Sequence, residues 1–529
     1  MRINCTILRN FIAASFTTCA LLCGSWARAD VKLPAIMADH MVLQQGMAVP
    51  VWGTADAGEQ VTVTFGQQKQ AAKADDMGHW EVKLQPLTAN DKGEDLTVAG
   101  KNSITLKDIL VGEVWIASGQ SNMEFGIKNG RDAQQEITAG DHPHIRLFTV
   151  PKHVADEPQT ELLPQSQPNK KDEGKWLVCS PQNLETGDWG GFSAAGYFFG
   201  RDLHEDLKVP VGIIHTSWGG TVAEAWARHS YLENDPDFAP MLDRDKDPVA
   251  NYQRQLERWN KAAAQAKAQG KKAPRKPGNP EQNPNRPSVL YNGMIAPIVP
   301  FAARGVIWYQ GESNADRAYQ YRKLLPAMIK SWRDAWGEPN MEFLIVSLAN
   351  FQNPPKNPGD SAWAELREAQ TLTAALPHNG QALAIDLADV KNPGDIHPKD
   401  KQDVGKRLEL VALAKAYGKH VEYSGPEFEN MKVDGNKAVL HFKFANGLHL
   451  KGGDTLKGFQ IAGEGKTWHW ADAKIDGDTV SVSSKDVEKP AAVRYDWANN
   501  PEGNLYNKAN LPTVPFRTDD WPTVTQGRK

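Results

Sequence analysis

The 529-residue chain has little cysteine: only Cys5, Cys19, Cys23 and Cys179. The first three lie within the first 23 residues, so the rest of the chain keeps a single thiol. A single thiol can form neither an internal disulfide nor a cysteine metal cluster. Cys179 as a nucleophile is a remote alternative, because a lone cysteine is more often a small buried apolar residue.

Long hydrophobic runs are also missing, since no segment approaches the roughly 20 apolar residues of a membrane-spanning helix. A shorter apolar stretch, residues 11–23, follows Arg2 and Arg9 and precedes Ala27-Arg28-Ala29. This pattern is typical of an export signal with small residues at its cleavage site. Residues 1–29 are therefore predicted to be a signal peptide, and the protein to be periplasmic or extracellular. A membrane anchor and a lipidated Cys23 are the weaker alternatives.

Positive charge is not in excess. The chain has 60 Lys and Arg against 64 Asp and Glu, and loss of the signal removes three arginines and no acid, which leaves a net charge of −7. This balance disfavours a nucleic-acid partner or an acidic membrane surface. What the sequence does contain is 17 tryptophans. Most should fill cores, and some are candidates for stacking on sugar rings.

Strand patterns at both ends of the chain flank a different central pattern. Alternating apolar residues and turn signals in residues 30–107 predict an N-terminal β-sandwich domain, and residues 421–529 predict a second β-rich, sandwich-like domain. Residues 240–287 are polar, with a helix predicted over 251–269 followed by a Pro-, Asn- and Lys-rich stretch. We expect this insertion to lie on the surface, and closure over the site is one role open to it.

Residues 108–420 alternate apolar strands with helices, which predicts the α/β class with a parallel sheet. Because the carboxyl ends of parallel strands meet at one edge, polar loops that follow the strands should converge there. The predicted strands are Glu113–Ala117, Val209–His215, Val306–Tyr309, Phe343–Leu348 and Leu383–Leu387, and the predicted helices are Phe192–Leu207, Arg317–Ala335 and Lys401–Tyr417.

A serine follows the first of these strands in a tight turn, within Ser118-Gly119-Gln120-Ser121-Asn122-Met123. A strand, a glycine turn and a helix start would expose the Ser121 hydroxyl where backbone N–H groups stabilise a negative oxygen. Met123 stands where the nucleophile elbow of α/β-hydrolases has its second glycine, so the turn is of another type. A nucleophile and an ordinary helix cap are both open from this motif alone.

A histidine with a nearby carboxylate lies in the polar loop Asp395-Ile396-His397-Pro398, just before a predicted helix. A carboxylate two residues before a histidine can reach its Nδ1–H, which leaves Nε2 to accept a serine proton. The alternative is a capping aspartate with an exposed histidine.

Two further loops follow predicted strands and carry hydrogen-bond donors. Gln310-Gly311-Glu312-Ser313-Asn314 offers side-chain amides, and Trp218-Gly219-Gly220-Thr221 offers N–H groups without a Cβ in the way. Each loop is weak evidence alone. Together the four loops supply a nucleophile, a base, its orienting carboxylate and donors for an oxyanion.

This constellation resembles the SGNH (GDSL-like) hydrolase superfamily and, within it, the sialate O-acetylesterase family. The resemblance covers essentially the whole chain after the signal. It is carried by the motifs Gly119–Met123, Ser217–Thr221, Trp308–Asn314, Trp363–Gln370, Asp395–Pro398 and Pro515–Trp521.

The family implies a flavodoxin-like three-layer hydrolase domain with β-rich flanking domains. By this resemblance Ser121 is the nucleophile, His397 the base and Asp395 its orienter. The oxyanion hole would use the N–H of Ser121, the N–H of Gly219 or Gly220, and a side-chain amide, with Gln310 favoured over Asn314. The weaker candidates for contacts with the sugar are Trp218, Asn314, Trp226 and Arg367.

The function expected is hydrolysis of O-acetyl esters on a sugar through an acetyl-enzyme, without a metal or organic cofactor. The partner is an O-acetylated sugar or glycan, and the oligomeric state is left open. An acetyl-xylan or other hemicellulose esterase would use the same residues. The alternative from another class is an inactive glycan-binding scaffold, against which the complete serine, histidine and aspartate set argues.

Overall fold

The computed structural model describes residues 30–163, 172–274 and 276–529, so the predicted signal, residues 1–29, lies outside the described residues. The chain has a mixed α/β architecture with one large mixed sheet and several smaller sheets. Among the helices described, none combines the length and the apolar character needed to cross a membrane.

The N-terminal part consists of short strands that lead into one long strand. The predicted strand 113–117 is the end of this long strand, so the predicted boundary at 107/108 falls inside it. The long strand is not interrupted at this boundary, because its first half pairs antiparallel with the preceding strand and its second half enters the central sheet. The bounds are β1 (Val42–Gln44), β2 (Val49–Thr54), β3 (Gln60–Phe65), β4 (Gln68–Lys73), β5 (His79–Leu84), β6 (Asn90–Ala99) and β7 (Ser103–Gly119).

The central sheet has the order β13-β12-β11-β7-β10-β8-β9, with parallel neighbours except at the β8–β9 edge. Its further strands are β8 (His142–Thr149), β9 (Trp176–Cys179), β10 (Val211–Ser217), β11 (Gly305–Tyr309), β12 (Glu342–Val346) and β13 (Asn379–Ala382). Without the β8–β9 edge, the strand order is 2-1-3-4-5, which occurs in flavodoxin-like sheets. Strands β10, β11 and β12 are buried on both faces, as expected when helices cover a parallel sheet.

Helices cover both faces of this sheet. α4 and α10 pack together on the face that carries Ala117 and Ile307, while α8 and α9 cover the face that carries Ile116 and Trp308. The helices are α1 (Ser121–Glu124), α2 (Ala133–Thr138), α3 (Pro181–Leu184), α4 (Ala194–Leu207), α5 (His229–Leu232), α6 (Ala239–Asp245), α7 (Pro248–Ala268), α8 (Ala318–Trp336), α9 (Ala362–Ala374) and α10 (Lys401–Lys415). Three-residue to six-residue 3₁₀ segments include Ala223–Trp226 and Glu312–Arg317.

One predicted strand, Leu383–Leu387, is wrong. β13 ends at Ala382, and the N–H of Ala384 donates to the side chain of Ser347 at 3.2 Å instead of continuing the ladder. Residues 383–385 are nevertheless buried. The apolar run therefore reflects burial of a loop, which hydrophobicity alone does not distinguish from burial of a strand.

The insertion at 240–287 contains most of α6 and all of α7. α7 begins three residues before the predicted helix, because Asp247 caps it and Pro248 occupies its first turn. None of its residues is buried. The indole N–H of Trp259 donates to the carbonyl of Pro274 at 2.8 Å, so the helix packs against the return segment of its own insertion.

The C-terminal part contains two four-stranded antiparallel sheets, β14-β15-β20-β19 and β18-β17-β21-β23. Residues of both sheets, such as Leu440 and Ile461, share one core, which gives a sandwich-like arrangement. The strands are β14 (Glu427–Asp434), β15 (Lys437–Lys443), β16 (His449–Leu450), β17 (Phe459–Ala462), β18 (Trp468–Trp470), β19 (Asp472–Asp476), β20 (Thr479–Ser483), β21 (Ala492–Tyr495), β22 (Leu505–Tyr506) and β23 (Phe516–Arg517).

Candidate active site

The carboxyl ends of three neighbouring strands bring the polar loops together. In the sheet register, Gly119 at the end of β7 lies opposite Ser217 of β10 on one side and Tyr309 of β11 on the other. The loops that follow these strands therefore leave the sheet at the same level, as predicted from the parallel arrangement.

Glycine is required where the chain turns from β7 into α1. Gly119 has a φ of +140°, and a Cβ at this position would lie 2.2 Å from the carbonyl oxygen of Tyr309. The N–H of Gln120 then donates to the same carbonyl at 3.0 Å. This close approach puts Ser121 at the first position of α1, above the edge of the sheet.

The structure brings Ser121, His397 and Asp395 together from positions far apart in the sequence. Nε2 of His397 lies 3.0 Å from the Ser121 hydroxyl oxygen, and Nδ1 lies 3.3 Å from Oδ1 of Asp395. The backbone N–H of His397 also donates to that Oδ1, at 3.0 Å. Protonated at Nδ1, the imidazole can accept the serine proton at Nε2.

Two aromatic rings enclose the imidazole of His397. Phe125 stacks on it with a centroid distance of 6.4 Å, and Trp189 meets it edge to face at 4.8 Å. Burial lowers the pKa of His397, and the positive charge of Lys401 lowers it further, whereas Asp395 acts in the opposite direction. A lowered pKa favours the neutral ring, which is the form a base needs.

The backbone N–H groups near Ser121 differ in their availability. Gly219 donates to the carboxylate of Glu124, so its N–H is already used. The backbone N–H groups of Ser121 and Gly220 have no acceptor among the described residues. The space beside the Cα of Gly220 is open. Of the glycine pair, Gly220 is the better placed to bind an oxyanion.

The structure does not support Gln310 as a direct oxyanion donor. Its side chain is fully buried, and its amide nitrogen donates to the Thr221 carbonyl at 3.1 Å and to Oδ1 of Asn314 at 2.7 Å. Its oxygen accepts from the hydroxyl of Tyr321 at 2.8 Å. Both amide hydrogens are thus used inside the protein.

Asn314 belongs to the same buried network. Its amide nitrogen donates to Glu224 at 2.9 Å, and its oxygen accepts from the N–H of Ala223 at 2.9 Å. Glu224 is in turn paired with Arg317 at 2.6 Å. We refer to Gln310, Asn314 and Glu224 as the scaffold cluster, because they hold the turn after Gly220 in place.

Two predicted sugar contacts are corrected by their burial. Trp226 has no exposed surface and packs against Trp308, with its indole N–H donating to Thr221 at 3.0 Å. Arg367 is 1% exposed and donates to main-chain carbonyls, including Leu348 at 2.8 Å and Ala498 at 2.8 Å. Neither side chain is available to a ligand at the surface.

Trp218 is partly exposed beside the glycine pair, and Lys152 lies over its ring at 5.6 Å. Lys152 also pairs with Glu124 and with Asp188, at 3.2 Å from the latter. Of the predicted sugar contacts, Trp218 is the one that remains accessible next to Ser121.

Sequence reasoning missed Trp189, which is 43% exposed and directly contacts His397. Its surroundings, Gly187-Asp188-Trp189-Gly190-Gly191, carried a signal: a tryptophan in a glycine-rich loop has little core to fill. It also missed the buried Lys401, which lies behind the His397 loop.

A cysteine nucleophile finds no support in the geometry. Cys179 is buried, and its burial raises the pKa of the thiol to about 12. In the part of the chain that the structure describes, no cluster of three His, Cys, Asp or Glu side chains has the geometry to hold a metal ion.

Known proteins share both the sequence and the fold. Residues 278–414 match the family model "Carbohydrate esterase, sialic acid-specific acetylesterase". The chain is 28% identical to sialate O-acetylesterase of Mus musculus, with 90% of this chain and 92% of the relative aligned. It is 29% identical to the Homo sapiens enzyme, with 90% of each chain aligned.

A solved structure is similar over nearly the whole chain. It is a carbohydrate acetylesterase from Xanthomonas citri, with 38% identity, a TM-score of 0.77, and coverage of 93% of this chain and 100% of that one. The similarity therefore includes the N-terminal and C-terminal β-rich parts as well as the central sheet.

Proposed function

This chain belongs to the sialate O-acetylesterase family of carbohydrate esterases, and on that premise we propose that it removes O-acetyl groups from a sugar with Ser121 as its nucleophile. It is a carboxylic ester hydrolase. The observation that carries the proposal is the 3.0 Å contact between Nε2 of His397 and the Ser121 hydroxyl.

We assign the central domain, residues 108–420, to the SGNH type, flanked by β-rich domains at 30–107 and 421–529. The 2-1-3-4-5 strand order supports this assignment, as do the polar loops that follow β7, β10 and β11. Because β7 runs through residue 108, the first two domains would share a strand.

In the first step, the Ser121 oxygen attacks the carbonyl carbon of the acetyl ester while Nε2 of His397 takes the hydroxyl proton. Asp395 accepts from Nδ1 and stabilises the imidazolium that forms. The carbonyl oxygen becomes negative, and the N–H groups of Ser121 and Gly220 donate to it.

The first half of the reaction ends when the bond to the sugar oxygen breaks and His397 gives its proton to the departing alcohol, which leaves acetyl-serine. Water then attacks the acetyl-serine, with His397 as its base, and acetate leaves as Ser121 regains its proton. The low pKa of His397 suits both steps, since the imidazole starts each half-reaction neutral.

The sugar itself is proposed from the family, with sialic acid as the first candidate. One observation favours the second candidate, a neutral acetylated polysaccharide such as xylan. Lys152, the cation beside Trp218, is already paired with Glu124 and Asp188, and so is poorly placed to bind a sialate carboxylate. Paired assays on O-acetylated sialic acid and on acetylated xylan separate the two candidates.

We further propose that the protein is exported by residues 1–29. The test is the amino-terminal sequence of the protein recovered from outside the cytoplasm, which should begin at Asp30. A protein that keeps residues 1–29 and stays in the cytoplasm would contradict export.

The central experiment is Ser121→Ala, assayed with p-nitrophenyl acetate. Loss of the nucleophile should lower kcat by about 10⁴-fold or more, as for other triads. The matched control is Ser230→Ala, an exposed serine in α5, which should keep normal turnover. Failure of a fluorophosphonate probe to label Ser121 in folded protein, or near-normal turnover by Ser121→Ala, would overturn the proposal and favour an inactive scaffold.

A further inference from the structure

A buried lysine lies behind the loop that carries His397. Lys401 is the first residue of α10 and has no exposed surface. Burial of an ammonium is costly, and a cation at the amino end of a helix also opposes the helix dipole. Its position therefore has no simple explanation in the stability of the helix.

The ammonium of Lys401 makes two hydrogen bonds that connect the proposed nucleophile and base. It donates to the carbonyl of Pro398 at 2.7 Å, one residue after His397, and to the side-chain oxygen of Asn122 at 2.8 Å. Asn122 directly follows Ser121 in α1.

Asn122 completes the connection from the other side. Its amide nitrogen donates to the carbonyl of Ile396 at 3.1 Å and to the carboxylate of Glu312 at 2.7 Å. The two carbonyls that flank His397 are therefore both held by side chains that meet each other beside Ser121.

The remaining surroundings of Lys401 favour a cation at this place. Its nitrogen lies 4.5 Å from the ring centre of Phe125 and 5.4 Å from that of Tyr309. The carboxylates that act on it are Glu312 in the 3₁₀ segment, Asp395 in the catalytic loop and Asp400 at the cap of α10.

We propose that Lys401 is a positioning residue, which holds His397 in reach of Ser121 by fixing Pro398 and Asn122, and whose positive charge opposes protonation of the imidazole. This inference rests on the proposed function, since it assigns a role within that reaction. Lys401 does not touch the substrate and acts only through the loop and through its charge.

The pKa directions agree with this geometry. Burial lowers the pKa of Lys401 to about 7, so the side chain is charged in the acidic range where His397 titrates. There it repels the imidazolium and lowers the pKa of His397. Removal of the charge should therefore raise the pKa of His397 towards its ordinary value.

The test is Lys401→Met, with Lys406→Met as the matched control. Lys406 lies in the same helix, and it is half-exposed and paired with Glu409 away from Ser121. A misplaced base should cost about 10²-fold in kcat for p-nitrophenyl acetate with little change in KM. The acidic limb of kcat/KM should move to higher pH. The melting temperature should fall, because the carbonyl of Pro398 and the side-chain oxygen of Asn122 lose their donor, so kcat and the pH limb are measured at a temperature where the variant is folded.

A second variant, Glu312→Gln, keeps an acceptor for Asn122 and removes a carboxylate that raises the pKa of Lys401. Lys401 then loses its proton at lower pH and repels the imidazolium less, so the acidic limb should move to higher pH, as in Lys401→Met, but without the loss of kcat. A shift of the limb without a loss of kcat would not arise from general damage to the fold. If Lys401→Met does not fold, the shift in Glu312→Gln decides the question, and an unmoved limb would overturn the proposal.

The outcomes separate the two levels of inference. The positioning role would be overturned if Lys401→Met has the same kcat and the same acidic limb as Lys406→Met. It would also be overturned if Lys401→Met loses activity only in proportion to its unfolded fraction. If Ser121→Ala is inactive in the same experiment, the proposed function survives that result. If Ser121→Ala is active, the function itself fails.

Discussion

Two polar clusters lie in loops of the same sheet domain, and they differ in how many of their hydrogen-bond donors and acceptors remain unused. Ser121, His397 and Asp395 are partly exposed, with 22% of the His397 side chain and 31% of the Asp395 side chain accessible. The scaffold cluster of Gln310, Asn314 and Glu224 is almost completely buried.

The difference lies in the use of donors and acceptors. In the scaffold cluster, the Gln310 amide is fully used within the protein, and Asn314 and Glu224 each bond at least two partners. The Ser121 hydroxyl is bonded to an imidazole that can take its proton. A polar motif at a strand end thus predicts a site, but exposure and unused hydrogen bonds decide which of its members can react.

The largest expected effect comes from the exposed cluster. His397→Ala removes the proposed base, and kcat for p-nitrophenyl acetate should fall by about 10⁴-fold, with little loss of stability because the side chain is half-buried at the surface. Steady-state kinetics and thermal unfolding measure the two effects. His229→Ala, at an exposed histidine with 60% of its side chain accessible, is the control and should change neither.

An intermediate effect should come from the scaffold cluster. Asn314→Ala removes one hydrogen bond each from Gln310, Glu224 and the N–H of Ala223, and a buried group left unsatisfied costs about 1–3 kcal/mol. We expect a lower free energy of unfolding in urea and an activity loss far smaller than that of His397→Ala. Unchanged stability with a loss as large as that of His397→Ala would instead make Asn314 a reacting group and erase the contrast between the clusters.

The smallest expected effect concerns the ring that covers His397. Trp189→Ala exposes the imidazole, and since burial is the main cause of its lowered pKa, that pKa should rise towards 6.5. The base is active when neutral, so the acidic limb of kcat/KM should move to higher pH, with a several-fold rise in KM for the sugar ester from lost stacking.

Trp470→Ala is the matched control for that variant. Trp470 is equally exposed, at 43%, but lies in a C-terminal sheet, where its indole N–H donates to the backbone carbonyl of Lys356. An acidic limb that moves in both variants, or in neither, would contradict the assigned contact of Trp189 with the base.

Much of this architecture could be predicted because it depends on local patterns. Helices α4, α8 and α10 lie within about two residues of their predicted ends, and strands β10, β11 and β12 overlap their predicted ranges. These segments combine strong periodicity with clear caps. The strand predicted at 383–387 failed because a buried loop has the same hydrophobicity as a buried strand.

The site shows the same division between local pattern and context. Ser121, Asp395 and His397 were predicted from short motifs, and the structure brings them together, while their catalytic roles stay a proposal. Trp226 and Arg367 were misjudged because tryptophan and arginine suit a sugar site and a buried core alike. Burial depends on neighbours distant in the sequence, such as Trp308 for Trp226.

The sequence by itself determined the residue types at the strand ends and the order of the strands and helices that carry them, since turns, caps and periodicity act over a few residues. Only the tertiary structure decided that Ser121 and His397, 276 residues apart, share a hydrogen bond. It also decided that both amide hydrogens of Gln310 are used within the protein, and that Lys401 donates to Asn122 behind the loop that carries His397. The physical reason is that a hydrogen-bonding group can be used only as often as it has hydrogens and lone pairs, and which partner takes each one depends on the whole packed interior.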